Sequence, residues 1–351
     1  PHQGGANSQP AKIRVDAPPD PRVNRRRGCR PYLDVADQLS RWGKHEAGIL
    51  LRVEARRAPI FTQDVSTGKV ILPSHALHPD IEHLNGGFGI WAWDARRVLI
   101  QYNEAYANQS QTRDGGGFDL DGGVTSSTVQ YNYSHDNRGA GFGLFQFAFA
   151  RAYGDNHVRY NISQNDGTAF AVWDDNGDMG PVEVTHSVGY GQSPSLSTYS
   201  ALREVAFYNN LFYGVGQTLL DVFDAHGLTL QANAYWSAES ALRIAWNSGR
   251  ADRQTFADFA AFQAQTGQES RPDLPQGLYA DPQLTAAGSG PTLDDPERLS
   301  SLSMYQLDPS SPLIDRGLSL KTVGSTASAQ DFFGAAAPRG AAPDIGAHEL
   351  R

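Results

Sequence analysis

The chain is short of lysine, cysteine and long apolar runs. Its 351 residues include four lysines, Lys12, Lys44, Lys69 and Lys321, and one cysteine, Cys29. A lone cysteine closes no intrachain disulfide, so packing must hold the fold and the redox compartment stays open. No stretch reaches the ~18 apolar residues that a membrane helix needs, so no membrane partner is expected. Positive charge is outweighed as well, 29 Lys and Arg against 38 Asp and Glu, for a net charge of −9. That balance speaks against nucleic acid as a partner, because phosphate binding rests on Lys and Arg. No leader is legible and the chain begins at Pro1 rather than Met. The expectation is a secreted or periplasmic protein whose leader has been removed.

What is present is a repeat. "LIQYNEAY", "TVQYNYSHD" and "HVRYNISQND" share an asparagine at Asn103, Asn132 and Asn161, 29 residues apart each time. Weaker copies, "EVTHSVGYG", "VAFYNNLFYG" and "LTLQANAYW", put His186, Asn209 and Asn233 at the equivalent place. A second phrase keeps step: "GFGIWAW", "GFDLDGG", "GFGLFQF", "AFAVWDD" and "LLDVFDA". Each alternates strictly, as a short strand does. Short strands in units of 23–29 residues, separated by Gly, Asn and Asp turns, predict a β-solenoid, whose coils bury apolar faces only by stacking. Phe88, Phe118, Phe142 and Phe170 are expected to stack inside, beside Ile90, Leu120, Leu144 and Val172.

This repeat resembles that of right-handed parallel β-helix proteins, the pectate-lyase-like superfamily, with its asparagine ladder. The closing phrases "DPSSPLIDRG" (308–317) and "PDIGAHEL" (343–350) resemble the ends of secreted bacterial β-helix proteins. The resemblance implies an all-β fold and a polysaccharide-cleaving activity, although fold alone does not fix function. The expected organisation is one structural domain: an N-terminal arm and cap over 1–86, a β-helix core over 87–250, and a short helix with packing loops over 251–351. "YLDVADQLSRW" at 32–42 reads as a short capping helix and "RRR" at 25–27 as a solvated patch. Residues 255–266 read as an amphipathic helix with Thr255 as N-cap, Asp258 in a capping-box position and Gly267 as the stop.

The outward face carries the chemistry. One column reads Gly89, Asp119, Gly143, Ala171 and Asp221. The next reads Trp91, Asp121, Phe145, Trp173 and Phe223. Ala92, Gly122, Gln146, Asp174 and Asp224 follow at the strand ends. A small floor beside an aromatic row suits a carbohydrate groove, although any one outward aromatic is as readily packed beneath a loop. Trp91, Phe145, Trp173 and Phe223 are the expected sugar platforms. Arg138, Gln146 and Asp224 are the expected hydrogen-bonding partners of hydroxyls or a uronate.

Glycoside hydrolysis needs two carboxyl groups, and inverting enzymes separate them by about 6.5–9.5 Å. Side chains at i and i+2 on one strand lie ~6–7 Å apart, as Asp119 and Asp121 would, while Asp121 and Asp174, two coils apart, would lie roughly 10 Å apart. The arrangement resembles polygalacturonases, which set an Asp in one coil near an Asp pair. That resemblance gives Asp119, Asp121, Asp174 and Asp175 the catalytic roles. The Gly-His-Gly and Arg-Ile-Lys motifs of that family are absent, so the reaction class is carried over and the polygalacturonate substrate is not.

Two rivals stay open. A polysaccharide lyase would use a Lys or Arg base, and no lysine falls in the strong repeat; Arg138, Arg151, Arg159 and Arg203 are the candidates. "DDNGD" at 174–178 offers oxygen ligands, so calcium is admissible though no cofactor is required. A non-catalytic carbohydrate-binding module or adhesin would keep the aromatic groove and lack the acid.

Overall fold

The computed structural model describes residues 88–108, 115–216, 218–249 and 253–350. It also gives the backbone of four short strands, Ile13–Val15, Leu51–Val53, Thr62–Asp64 and Lys69–Leu72. The expected cap helix at 32–42 and the arginine run at 25–27 lie outside these residues.

Three largely parallel sheets run the length of the described coils. Each coil contributes one strand to each, as in Ala140–Gln146, Asn156–Arg159 and Ile162–Gln164. Six coils have all three strands described. The first sheet runs from Ile90–Ala92 to Ile244–Trp246 and is closed by the antiparallel strand Gln254–Phe256. The second begins earlier, since Lys69–Leu72 pairs in parallel with the strand that starts at Val98. The third ends on Leu278–Tyr279. The chain is all-β, a parallel β-helix.

The interior follows from the alternation. Ile90, Phe118, Phe142, Phe170, Leu196, Leu220 and Ile244 form one inward row of the first sheet. The rings of Phe118 and Phe142 stack at 5.2 Å and those of Phe142 and Phe170 at 5.7 Å. Each such buried side chain contributes about 1.5–3 kcal/mol. Phe88 is a correction to the expected stack. The register sets Ile90, not Phe88, opposite Phe118. Phe88 lies before the strand, free of its alternation, and packs outside against Phe145. A two-residue slip keeps every side chain on its own face, so the hydrophobic pattern alone does not detect it.

The ladder is also corrected in its second half. Asn103 donates to Asn132 at 2.8 Å and Asn132 to Asn161 at 3.0 Å, side chain to side chain. The next rungs are Ser187 and Asn210, then Asn233. His186 and Asn209 sit one residue earlier, in a column of left-handed corner residues with Tyr102, Tyr131, Tyr160 and Ala232. Their rings stack there, Tyr160 on His186 at 4.7 Å. A second ladder, Asn108, Asn137 and Asp166, lines the corner before the first sheet.

The helix spans Phe259–Thr266. Asp258 caps it by accepting from the Ala261 N–H at 2.7 Å, and Gly267 ends it at φ 73°. Thr255 is instead in the closing strand Gln254–Phe256, because that strand pairs with Ile244–Trp246. The closing sequence phrases tie the tail to itself and to the solenoid. Asp344 accepts from the backbone N–H groups of Asp315 and Leu350. Asp331 accepts from Phe333, Ala335 and Glu349. Asn209 clips Leu318 through both its N–H and its carbonyl.

Candidate functional site

The outward face of the first sheet carries two columns. One reads Trp91, Asp119, Gly143, Ala171, Ser197 and Asp221. The other continues the same register one alternation on: Trp93, Asp121, Phe145, Trp173, Tyr199 and Phe223. Trp91 therefore moves into the Asp119 column, and Trp93 takes its expected place beside Asp121. Trp93, Ser197 and Tyr199 are additions to the sequence reading. "SLST" lacks both the Phe of the coil before it and the Asp and aromatic of "LLDVFDA" after it, so the second phrase is not legible in its coil. Its spacing after Phe170 was the available signal.

Gly143 is the floor of this face. A Cβ there would lie 2.8 Å from the Phe145 ring, 2.9 Å from the Phe88 ring and 3.0 Å from Asp119 Oδ1. Two aromatic edges and a carboxylate thus converge over one glycine. Asp119 is buried, 4% exposed, while Asp121 is half-buried and accepts from the Gly122 N–H at 2.8 Å. Phe145 packs edge-on against Phe88 at 5.7 Å and against Trp173 at 6.4 Å. Trp173 donates from Nε1 to Asp175 Oδ1 at 2.5 Å, which keeps Asp175 at the groove surface.

Other expected site residues face elsewhere. Gln146 and Asp174 are register partners at the strand end, on the inward parity, and both are buried. Gln146 donates to the Arg151 carbonyl at 2.7 Å and accepts from the Gly123 N–H at 3.1 Å. Asp174 accepts from the N–H groups of Asn176, Gly177 and Met179. It organises the "DDNGD" turn, and the strand alternation gives it the opposite parity to the outward Phe145–Trp173 row that Asp121 shares. Asp224 lies at the same end of its strand and accepts from His226 Nδ1 at 2.8 Å. Phe223 does face outward and is exposed.

The arginines expected as candidate bases sit on separate elements. Arg138 is exposed on the bend before Ala140. Arg159 donates to Gln130 on the second sheet, and burial lowers its pKa. Arg203 faces Asp178 at 3.8 Å. Arg151 lies 3.5 Å from Asp94 at the corner beyond Gly123, where burial raises the Asp94 pKa against the arginine's opposing pull. Arg253 forms an ion pair with Asp221 on the outward face. Among the described residues no cluster of three or more His, Cys, Asp or Glu side chains is placed to hold a metal ion. No described helix is long and apolar enough to cross a membrane.

Comparisons with known proteins bear on this geometry. A family model for the right-handed β-helix region matches residues 80–187. Lacto-N-biosidase from Bifidobacterium longum subsp. longum is 29% identical over 133 residues, covering 37% of this chain and 8% of that protein. The chain thus spans a small fraction of that relative's length. The crystal structure of pectate lyase Pel9A aligns with a TM-score of 0.42 at 13% identity, covering 76% of this chain and 69% of that one. The family-model match lies on coils whose strands pair in parallel, so the fold of this chain is that of a right-handed parallel β-helix.

Proposed function

We propose that this protein is a carbohydrate-active enzyme that cleaves glycosidic bonds by hydrolysis. Asp119 and Asp121 are the acid/base pair, and Trp91, Trp93, Phe145 and Trp173 are the aromatic faces that hold sugar rings beside it. The observation that carries the reading is the convergence of Phe88, Phe145 and Asp119 over Gly143, with Asp121 next along the strand. Two carboxylates at i and i+2 lie ~6.6 Å apart by strand rise, near the lower end of the inverting range of about 6.5–9.5 Å. One protonates the leaving oxygen and the other activates water on the opposite ring face.

The glycosidase named among the relatives supports the reaction class. Asp174 is left out of the proposed machinery, because its carboxylate is committed to backbone N–H groups. Arg159 is held on the second sheet, which favours hydrolysis over elimination by that base. Asp175 is kept at the groove surface as a ligand for sugar hydroxyls. Secretion remains part of the proposal, since glycan polymers are met outside the cell.

The test is a panel of polysaccharides and lacto-N-bioside glycans, followed for new reducing ends and for the ultraviolet absorbance of an unsaturated uronate. Reducing ends without that absorbance are expected. Appearance of the absorbance would make the protein a lyase. Binding without either signal would make it a carbohydrate-binding module.

A further inference from the structure

The outward face of the third sheet also carries two columns. The C-terminal tail covers one of them, Val188, Leu211 and Ala234. The other begins with Tyr106, His135 and Gln164, all buried. It continues through Tyr190, Tyr213 and Trp236, all half-buried. Three aromatic rings in successive coils thus reach the surface, on a different sheet from the carboxylate pair.

These rings are held in place. Tyr190 meets Tyr213 edge-on at 5.0 Å and Tyr305 of the tail at 6.4 Å. A Cβ on Gly288 would fall 2.3 Å from the Tyr190 ring, so the tail turn lies directly on that ring. Trp236 packs on Tyr279 at 5.5 Å. Side chains already ordered by their neighbours lose little freedom on binding.

The charge beside the strip has one sign. Glu239 and Asp281 are both exposed. Burial raises the Tyr190 pKa, and the Glu239 carboxylate adds to the rise. Burial also raises that of Tyr213, with Tyr190, Asp281 and Glu239 adding to it. Ring faces and carboxylates side by side attract a cation together.

The backbone narrows the occupant further. The strands carrying Tyr190, Tyr213 and Trp236 are each paired on both sides. They offer no open edge, where a peptide would add a strand through main-chain hydrogen bonds. What they offer is ring faces, phenol and indole donors, and acidic acceptors, repeated at ~4.8 Å per coil. Successive sugar rings that carry ammonium groups match that set.

We infer that Tyr190, Tyr213 and Trp236, with Glu239 and Asp281, form a binding site for a cationic amino-sugar glycan on the third sheet. Binding there does not depend on cleavage at Asp119 and Asp121.

The experiment is calorimetric titration of the whole chain at mildly acidic pH. The probes are a glucosamine hexasaccharide, its N-acetylated counterpart, which lacks the charge, and hexalysine, which lacks the sugar. Wild type is expected to prefer the glucosamine probe, more weakly as salt is added. Glu239→Gln and Trp236→Ala each weaken that binding about tenfold, and Asp119→Asn leaves it unchanged. Circular dichroism checks the fold. Glu239→Gln swaps an exposed carboxylate for an amide of the same shape, so it serves if Trp236→Ala fails to fold. Loss of cleavage without loss of glucosamine binding sinks the catalytic proposal and leaves this site standing. Equal affinity for the acetylated probe overturns the cationic occupant, and tighter binding of hexalysine overturns the glycan. Binding unchanged in both strip variants, or no binding, overturns the site.

Discussion

Asn233 donates from its side-chain amide to Glu269 Oε1 at 2.6 Å, and this bond closes the asparagine ladder. Tyr235 donates to the same oxygen at 2.6 Å, and the Asn233 backbone N–H reaches Oε2 at 3.2 Å. A ladder of amides must end on an acceptor, or its last donor is buried without a partner. Glu269, brought in from the segment after the helix, is that acceptor. Removing it by Glu269→Ala strands three donors and is expected to cost about 2–4 kcal/mol. Urea denaturation measures the loss, and a change below 0.5 kcal/mol would mean water replaces the carboxylate.

The same residue gives a pH dependence. Burial raises the Glu269 pKa from 4.5 to about 7 against the pull of its donors. A raised folded pKa means the native state keeps its proton after the unfolded chain has lost it. The stabilisation is complete below about pH 4.5 and is lost as pH rises through about 7. The size is on the order of 3 kcal/mol. Glu269→Gln does not titrate, so its stability should fall less steeply than wild type between pH 5 and 8. Parallel curves would show that Glu269 is ionised throughout.

His135 makes the opposite end of the molecule pH-sensitive. It contacts Glu104 at 3.1 Å and Asp136 at 2.7 Å, and Glu104 accepts from the tail N–H groups of Leu293 and Asp294. Burial pulls its pKa down, but bonds to Asp136 and Glu104 outweigh it and raise the value from 6.5 to about 9. Its contribution is present below pH 6.5 and lost as pH rises through about 9. The stability gap between wild type and His135→Gln should therefore narrow above pH 9. A constant gap across pH 6–10 would mean the imidazole is neutral throughout.

Gly143→Ala tests the floor. A Cβ within 3.0 Å of two rings and a carboxylate forces them apart. The expected cost is about 1–3 kcal/mol from overpacking, with activity falling more than substrate binding. An active, equally stable variant would show that Phe88 and Phe145 move freely.

The fold was largely legible because its causes are periodic. Phe118, Phe142 and Phe170 recur with their coils, and Asn103, Asn132 and Asn161 recur at one corner. The errors arose where the period changes. His186 and Asn209 occupy a corner in which the ladder residue is the next one, Ser187 or Asn210, and Ser187 keeps the backbone rungs, accepting from the Asn161 N–H while its own N–H donates to Asn210. Phe88 sits before its strand, where alternation no longer rules. At the site, the outward pair Asp119 and Asp121 followed from strand parity. Asp174 and Gln146 were misplaced for the same reason read too loosely: both lie one step past an outward residue and so turn inward. Tyr199 and Ser197 belong to a coil whose sequence lacks the expected opening. The Asp221–Arg253 pair depends on a hairpin that no repeat encodes.

Glycosidic-bond cleavage by Asp119 and Asp121 is tested most directly by the initial rate of reducing-end release by wild type, Asp119→Asn and Asp121→Asn on the best glycan in the panel. Each variant is predicted to lose on the order of 10³-fold in kcat with its fold and glycan binding retained. Near-wild-type rates in both variants would show that neither carboxylate takes part in cleavage.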